Sequence, residues 1–315
     1  MSRPQRAIPA DRPRPRPRAA GAWRLLLLAT GLVGLAACAS PGDAAASPTT
    51  TAPGGHGQVD VLYAGSLAGL MEHSLGPAFT KATGYQFTGF AAGSDELASE
   101  IKGGIRTGDV FISASPAVDE SLMGAANGDH VRWHLTFGHS ALVLGYDPQS
   151  SFAGALAHRP WWEVVTAPGF RLGRTDPDLD PKGALAVSAV QETARVEHDP
   201  VLLHALAGTQ GVFPEETLVG RLQTGQLDAG FFYRVEAHAA GIPTVSLAPA
   251  HLEATYTVTV LDGAPDRAGA LSFVRYLLGP EGRHELVAAG LQPETPPMLT
   301  GRDLPAGLPS APPSG

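Results

Sequence analysis

Val59-Asp60-Val61-Leu62-Tyr63-Ala64-Gly65-Ser66-Leu67-Ala68-Gly69-Leu70-Met71-Glu72-His73-Ser74-Leu75 changes its hydrophobic period halfway along. Residues 59–63 are a short, β-rich apolar run, and Leu67, Leu70, Met71 and Leu75 then recur at helical spacing. Ala64-Gly65-Ser66 sits at the switch. A strand that runs through a small-residue turn directly into a helix is the βα unit of an α/β fold.

The same unit recurs downstream. Phe87-Thr88-Gly89-Phe90 is a second strand, followed by Ala92-Gly93-Ser94 and a helical face that begins with Leu97 and Ile101. Asp109-Val110-Phe111-Ile112 is a third strand. Ala141-Leu142-Val143-Leu144-Gly145-Tyr146, Phe231-Phe232-Tyr233 and Tyr256-Thr257-Val258-Thr259-Val260-Leu261 follow, then helices over 270–278 and 281–286. Strands alternating with helices predict parallel sheets. There is no internal repeat.

The two ends differ from this body. Arg12, Arg14, Arg16, Arg18 and Arg24 precede an apolar run from Leu25 to Leu35, too short to span a bilayer as a mature helix. Leu35-Ala36-Ala37-Cys38 ends it, and Cys38 is the only cysteine of the 315 residues. The pattern predicts a lipoprotein signal over 1–37, with lipidation of Cys38 and stable anchoring by several acyl chains. A single cysteine leaves no intrachain disulfide and no thiolate metal site. Residues 38–57 are small, polar and rich in Pro and Gly, and read as a flexible tether. Residues 298–315 read as a disordered tail.

Charge excludes one class of partner. The chain carries −8 overall, but residues 1–37 hold seven arginines and a single acid, Asp11. The remainder has 15 basic and 29 acidic residues, or −14. That sign does not suit phosphate contacts with nucleic acid. No G-x-S-x-G or P-loop sequence is present, which argues against a hydrolase. Asp176, Asp178 and Asp180 have calcium-loop spacing, yet Pro181 and Val187 stand where such a loop needs Gly and Glu. His130, His134 and His139 lack the acid of a zinc-protease helix and read as ordinary histidines. Trp161-Trp162 reads as packing.

Several segments, taken in order, resemble the molybdate/tungstate-binding proteins of ABC importers. They are Tyr63-Ala64-Gly65-Ser66-Leu67, Ala92-Gly93-Ser94, residues 108–114 (GDVFISA), residues 137–144 (FGHSALVL), Trp161-Trp162-Glu163-Val164-Val165, residues 173–183 (GRTDPDLDPKG) and residues 222–233 (LQTGQLDAGFFY). The likeness covers about 58–297, and the Asp-Pro-x-Gly element at Asp180 is similar to the tungstate-type branch. It implies a two-lobed, periplasmic-binding-protein-like (type II) fold with hinge crossovers. Lobe 1 would comprise 58–141 plus 257–297 and lobe 2 would comprise 142–256, closing on a ligand between them. It also implies an exported, membrane-anchored monomer that hands its ligand to an ABC permease, with no cofactor and no catalysis.

The resemblance places Ser66, Ser94 and Tyr233 on the oxyanion. Ser66 and Ser94 stand at βα turns, where a helix start offers free N–H groups and partial positive charge. An acidic body can bind an anion this way without a cationic side chain; the residues alone allow plain helix capping as well. Tyr233 can donate a hydrogen bond without bringing charge, or be a core tyrosine. Asp180-Pro181 reads as an N-cap and first helical position. The resemblance further implies that Asp180 and Glu216, with Glu215 as the alternative, reach the metal. A carboxylate aimed at a bare oxyanion is repelled unless it is protonated or bonds the central atom. Molybdenum and tungsten can widen their coordination and sulfur cannot, so such carboxylates would also reject sulfate. Lys182, and the lack of an aromatic residue after Gly183, depart from the family pattern. Other readings are a different oxyanion such as sulfate, ferric iron (disfavoured because Phe232, not tyrosine, precedes Tyr233), a small organic solute, a sensor lipoprotein, or a lipid-anchored hydrolase.

Overall fold

The computed structural model describes residues 57–207 and 211–310. The signal segment, Cys38 and all of the tether but Gly57 lie outside the described residues. β1 (Gln58–Ala64) lies parallel to β2 (Gln86–Ala92) on one side and to β3 (Val110–Ser113) on the other. The helix after β1 spans 65–83, opening in a 3-10 turn and widening to a π turn over Met71–Leu75. Gly84, at φ 82°, ends it in the left-handed region that glycine enters without steric cost. Val59, Val61 and Tyr63 point to one face of the sheet, packing with Phe79 and Phe273. Leu62 points to the other, where Leu97, Ile101 and Phe111 gather. This two-sided burial explains the continuous apolar strands, since helices cover both faces. Each large side chain so buried contributes about 1.5–3 kcal/mol.

β4 (Trp133–Tyr146) is the axis of the molecule. Its first half pairs antiparallel with β8 (Glu253–Val260) and β9 (Gln292–Gly301), and β8 in turn joins β3. From Leu142 onward it pairs instead with β6 (Ala229–Tyr233) and β7 (Thr244–Ser246), while β5 (Leu172–Gly173) lies parallel to β6. One strand therefore belongs to two curled sheets, each the centre of an α/β lobe. Leu142 N donates to Leu252 O at 2.7 Å, so the two crossing strands remain tied where the sheets part. β8 joins the first sheet from Glu253, a few residues before the return expected near 257.

The C-terminal segment corrects one expectation. Met298 to Gly301 are not a loose tail: they complete β9 against residues 133–136 of β4, and Leu308 packs into the core. Prolines do not prevent this, because β9 pairs on one side and a proline needs no donor on the other.

The lobes meet along a tight seam. Glu96 N, in the helix Ser94–Lys102, donates to Leu179 O across it at 3.0 Å. Gly93 lies against the same carbonyl, and a Cβ placed there would fall 2.3 Å from Leu179 O. Gly93 has φ −59° and ψ 139°, a conformation open to any residue, so its absence of a side chain serves the seam alone. Gly93→Ala is accordingly expected to fold and to hold the lobes apart. Its radius of gyration by small-angle scattering should rise, and amide exchange at Glu96 should speed up at least tenfold.

Two buried titratable groups outside the seam act in opposite directions. Burial pushes the Asp119 carboxyl up to about 7, against hydrogen bonds from Ser113 and Thr257 that pull it down. Burial pushes His134 down to about 4. Asp119 has its raised value only when folded, so the stability it gives is full below its unfolded value and is lost as pH rises toward 7. His134, depressed when folded, gives stability above about 6.5 that is lost as pH falls toward 4. Chemical unfolding from pH 4 to 8 should show Asp119→Asn gaining on the parent by roughly 4 kcal/mol as pH rises. His134→Leu should lose to the parent by roughly 3 kcal/mol over the same span.

Candidate functional site

Ser66 stands in the first turn of the helix that follows β1 and is buried, its Oγ sharing a 3.0 Å hydrogen bond with Tyr256 Oη of β8. Tyr256 meets the Tyr233 ring edge-on, with centroids 6.1 Å apart. Tyr233 ends β6 and is fully buried, and its hydroxyl has no hydrogen-bond partner among the described residues. A buried phenol without a partner is a group that something else must satisfy. Burial first, then the charge of Asp180, pushes Tyr233 upward, and burial does the same to Tyr256. Both phenols therefore stay protonated and able to donate.

Asp180 faces this pair. It caps the helix Pro181–Val196, with Oδ1 accepting from Lys182 N at 3.0 Å and Pro181 at the first helical position. Capping uses one carboxylate oxygen and leaves the other free of it. Oδ2 is buried without an aligned hydrogen-bond partner among the described residues, as is Thr175 Oγ1, whose hydroxyl lies near enough to pull the Asp180 carboxyl down. Burial first, and Glu215 second, push the Asp180 carboxyl well above the ordinary carboxylate range. A neutral acid there can donate to an oxyanion, and an ionised one can bond an electrophilic centre.

Of the two candidate glutamates, Glu215 is the one buried in the seam. Both lie in the first turn of the helix Glu215–Gln223 after Pro214. Glu215 is buried and its Oε2 accepts from Gly65 N across the seam at 2.7 Å. Glu216 is exposed, at the rim of the seam on the side of Glu96. The reason is rotational: successive helical residues differ by about 100°, so only one of the two can face inward, and Leu218 and Leu222, buried on the same side as Glu215, fix which.

Ser94 is fully buried at the start of its helix, with Oγ accepting from Ala114 N at 3.1 Å. Its hydroxyl proton is still available. It lies one residue beyond Gly93, whose Cα packs on Leu179 and Asp180.

Two residues of the cluster escaped the sequence reading. Tyr256 was legible only as part of a strand; what brings it to Ser66 is the β3–β8 pairing, which a linear pattern does not carry. Lys182 was noted as a departure, with no role. It is fully buried, with Nζ 2.8 and 3.0 Å from the two Glu236 oxygens and 3.1 Å from Glu215 Oε1. Desolvation pulls it down, but Glu215, Glu236 and Asp180 together hold it above the ordinary lysine value. A buried lysine signals its role by its partners, and those lie 33 and 54 residues away in sequence.

A cavity of about 240 Å³ opens on the seam beside this cluster, lined by Gly93 and Glu96 on one side and Thr175, Asp180, Glu215 and Glu216 on the other. A larger one, about 510 Å³, lies within the second lobe and touches none of the clustered side chains. The smaller is the one bordered by candidate ligand-binding side chains. Thr175, Asp180 and Glu215 line it, while Ser66, Ser94, Tyr233, Tyr256 and the Lys182–Glu236 pair are buried behind it and do not line it.

The fold is shared with solved structures of different ligand preference. The periplasmic molybdate-binding protein of Azotobacter vinelandii superposes with a TM-score of 0.60 at 21% identity, covering 74% of this chain and 98% of that one. The sulfate-binding protein of Mycobacterium tuberculosis does so with a TM-score of 0.61 at 16% identity, covering 76% and 88%. In sequence, a provisionally named ABC transporter molybdenum-binding protein of Haloferax volcanii is 30% identical over 255 residues, 81% of this chain and 73% of the relative. Residues 59–292 match the family model for the bacterial extracellular solute-binding protein. The two-lobed fold, the seam-centred cluster and this match together make the chain a member of the bacterial extracellular solute-binding protein family, a binding protein and not an enzyme.

Proposed function

We propose that this chain captures molybdate or tungstate between its lobes outside the cytoplasm and delivers it to an ABC permease, held at the membrane by lipid on Cys38. The observation that carries the reading is the pairing of uncharged donors with inward carboxyls. Ser66, Ser94, Tyr233 and Tyr256 suit the oxygens of a tetrahedral anion. Asp180 Oδ2, buried and unpartnered, suits its central atom. In a cleft closed to water such dipoles act strongly, which is how a body of −14 can hold a dianion. The Haloferax relative's name supports the ligand class. Two family-fold structures with different oxyanions show that the fold does not choose among them.

Capture then needs no covalent step. The anion enters the open cleft, meets the amide and hydroxyl donors of one lobe, and closure brings Asp180 and Glu215 from the other. Release follows when docking on the permease separates the lobes. A sulfate-like dianion is the second reading, favoured by one feature: Glu215 is already engaged by Gly65 and Lys182, leaving fewer carboxylate oxygens to repel a bare anion.

Thermal unfolding and titration calorimetry with molybdate, tungstate, sulfate and phosphate separate these. Ligand at about a thousand times Kd should stabilise by roughly 4 kcal/mol, a Tm shift on the order of 10 °C. The shift is expected with molybdate and tungstate only. Asp180→Ala should then weaken molybdate at least tenfold, and Glu216→Ala by less than twofold. An equal shift with sulfate would replace the proposal with plain tetrahedral recognition. For the anchor, Cys38→Ala is expected to abolish incorporation of labelled fatty acid and to release the protein from the membrane fraction.

A further inference from the structure

Lys182 stands where its surroundings do not let it leave. Gly183, next to it, packs so closely that a Cβ would fall 2.6–2.7 Å from backbone atoms of residues 175–177. The helix start is thereby pressed against that loop, and position 182 is directed into the seam. There the ammonium sits 5.7 Å from the Tyr233 ring centre and 5.9 Å from that of Phe232, with no exposure to water. It is the cation that faces Asp180, Glu215 and Glu236 among the described residues. Its two partners differ in kind. Glu236, in the helix Arg234–Ala239, receives both strong hydrogen bonds and is otherwise turned to the Tyr233 amide at 3.4 Å. Glu215 receives the ammonium at 3.1 Å on Oε1, outside hydrogen-bonding alignment, and the Gly65 amide on Oε2.

We propose that Lys182 is a specificity-determining residue of the oxyanion site, acting through Glu215: anchored by Glu236, it offsets the Glu215 charge and holds that carboxylate on the Gly65 amide beside the entering anion. This rests on the oxyanion reading above. Glu215 in this position is a wall of negative charge that penalises an anion unable to bond it through its central atom. Lys182 keeps the wall in place at a net charge a dianion can still approach. Remove Lys182 alone and three carboxyls face the ligand with no counter-charge. Remove Glu215 together with it and the wall is gone.

Two double variants separate these roles at the same net charge, each deleting one lysine and one glutamate of the same buried cluster. Lys182→Met with Glu236→Gln leaves Glu215 in place without its counter-charge. Lys182→Met with Glu215→Gln removes the wall and presents an amide. Lys182→Met alone strands buried carboxylates and serves only as a stability control. Calorimetric Kd values for molybdate and sulfate are read for the parent and both doubles, after circular dichroism confirms folding. The first double should bind molybdate at least tenfold more weakly than the parent while still preferring it to sulfate. The second should gain sulfate binding, so that the molybdate-over-sulfate preference of the two doubles differs at least tenfold. A difference below tenfold between the doubles overturns the Glu215 wall, and a first double that binds molybdate as tightly as the parent overturns the role of Lys182. A parent that binds none of molybdate, tungstate and sulfate overturns the oxyanion reading itself, and this inference with it.

Discussion

The Gly65 amide donates to a carboxylate that belongs to the opposite lobe, and much of the site is arranged around that contact. It brings the first turn of one lobe's helix against the first turn of the other's. Charge–dipole attraction of this kind favours closure without needing a ligand to bridge every gap. Gly65 and Gly93 make the approach possible, since a side chain at either would strike Glu215 or Leu179.

Closing a seam over ionisable groups is costly unless each is compensated. The cluster does this unevenly. Lys182 and Glu236 form a hydrogen-bonded pair, and Glu215 takes an amide on one oxygen and only the charge of the ammonium near the other. Asp180 Oδ2 and the Tyr233 hydroxyl are left over, together with Thr175 Oγ1. Polar groups stranded in an otherwise balanced interior lower the stability of the empty closed form, and that deficit is what a ligand would recover. Tight burial and incomplete satisfaction are in this sense one design: the pair that is complete holds the frame, and the groups that are incomplete face the space.

Much of the fold was legible in the sequence because its signals are local. The period switch at Ala64-Gly65-Ser66, the continuous apolar run through Leu142–Leu144 and the Asp180-Pro181 cap each act within a few residues, and each became the expected element. Glu215 against Glu216 was a choice of helical phase, which the first turn alone does not decide; Leu218 and Leu222 carried the signal, had the phase been read backward from them. Tyr256 and the Lys182–Glu236 pair depend on which strands and helices lie side by side, and nothing near them in sequence says so. The end of β9 was hidden for another reason. Proline-rich composition argues against a strand interior but permits an edge, and β9 lies at an edge of its sheet.

β8 runs between β3 and β4 in the first sheet, yet follows in the chain every strand of the second. The first lobe therefore cannot complete its sheet until residue 260 is present, whereas β4 to β7, with the helices between them, are made earlier. A chain emerging from its N-terminus has β1, β2 and β3 waiting with an open edge through the synthesis of more than a hundred further residues. Long-range pairing of this sort is slow to form. For a chain passing a membrane end first, that delay keeps half of the molecule threadable until almost all of it has crossed.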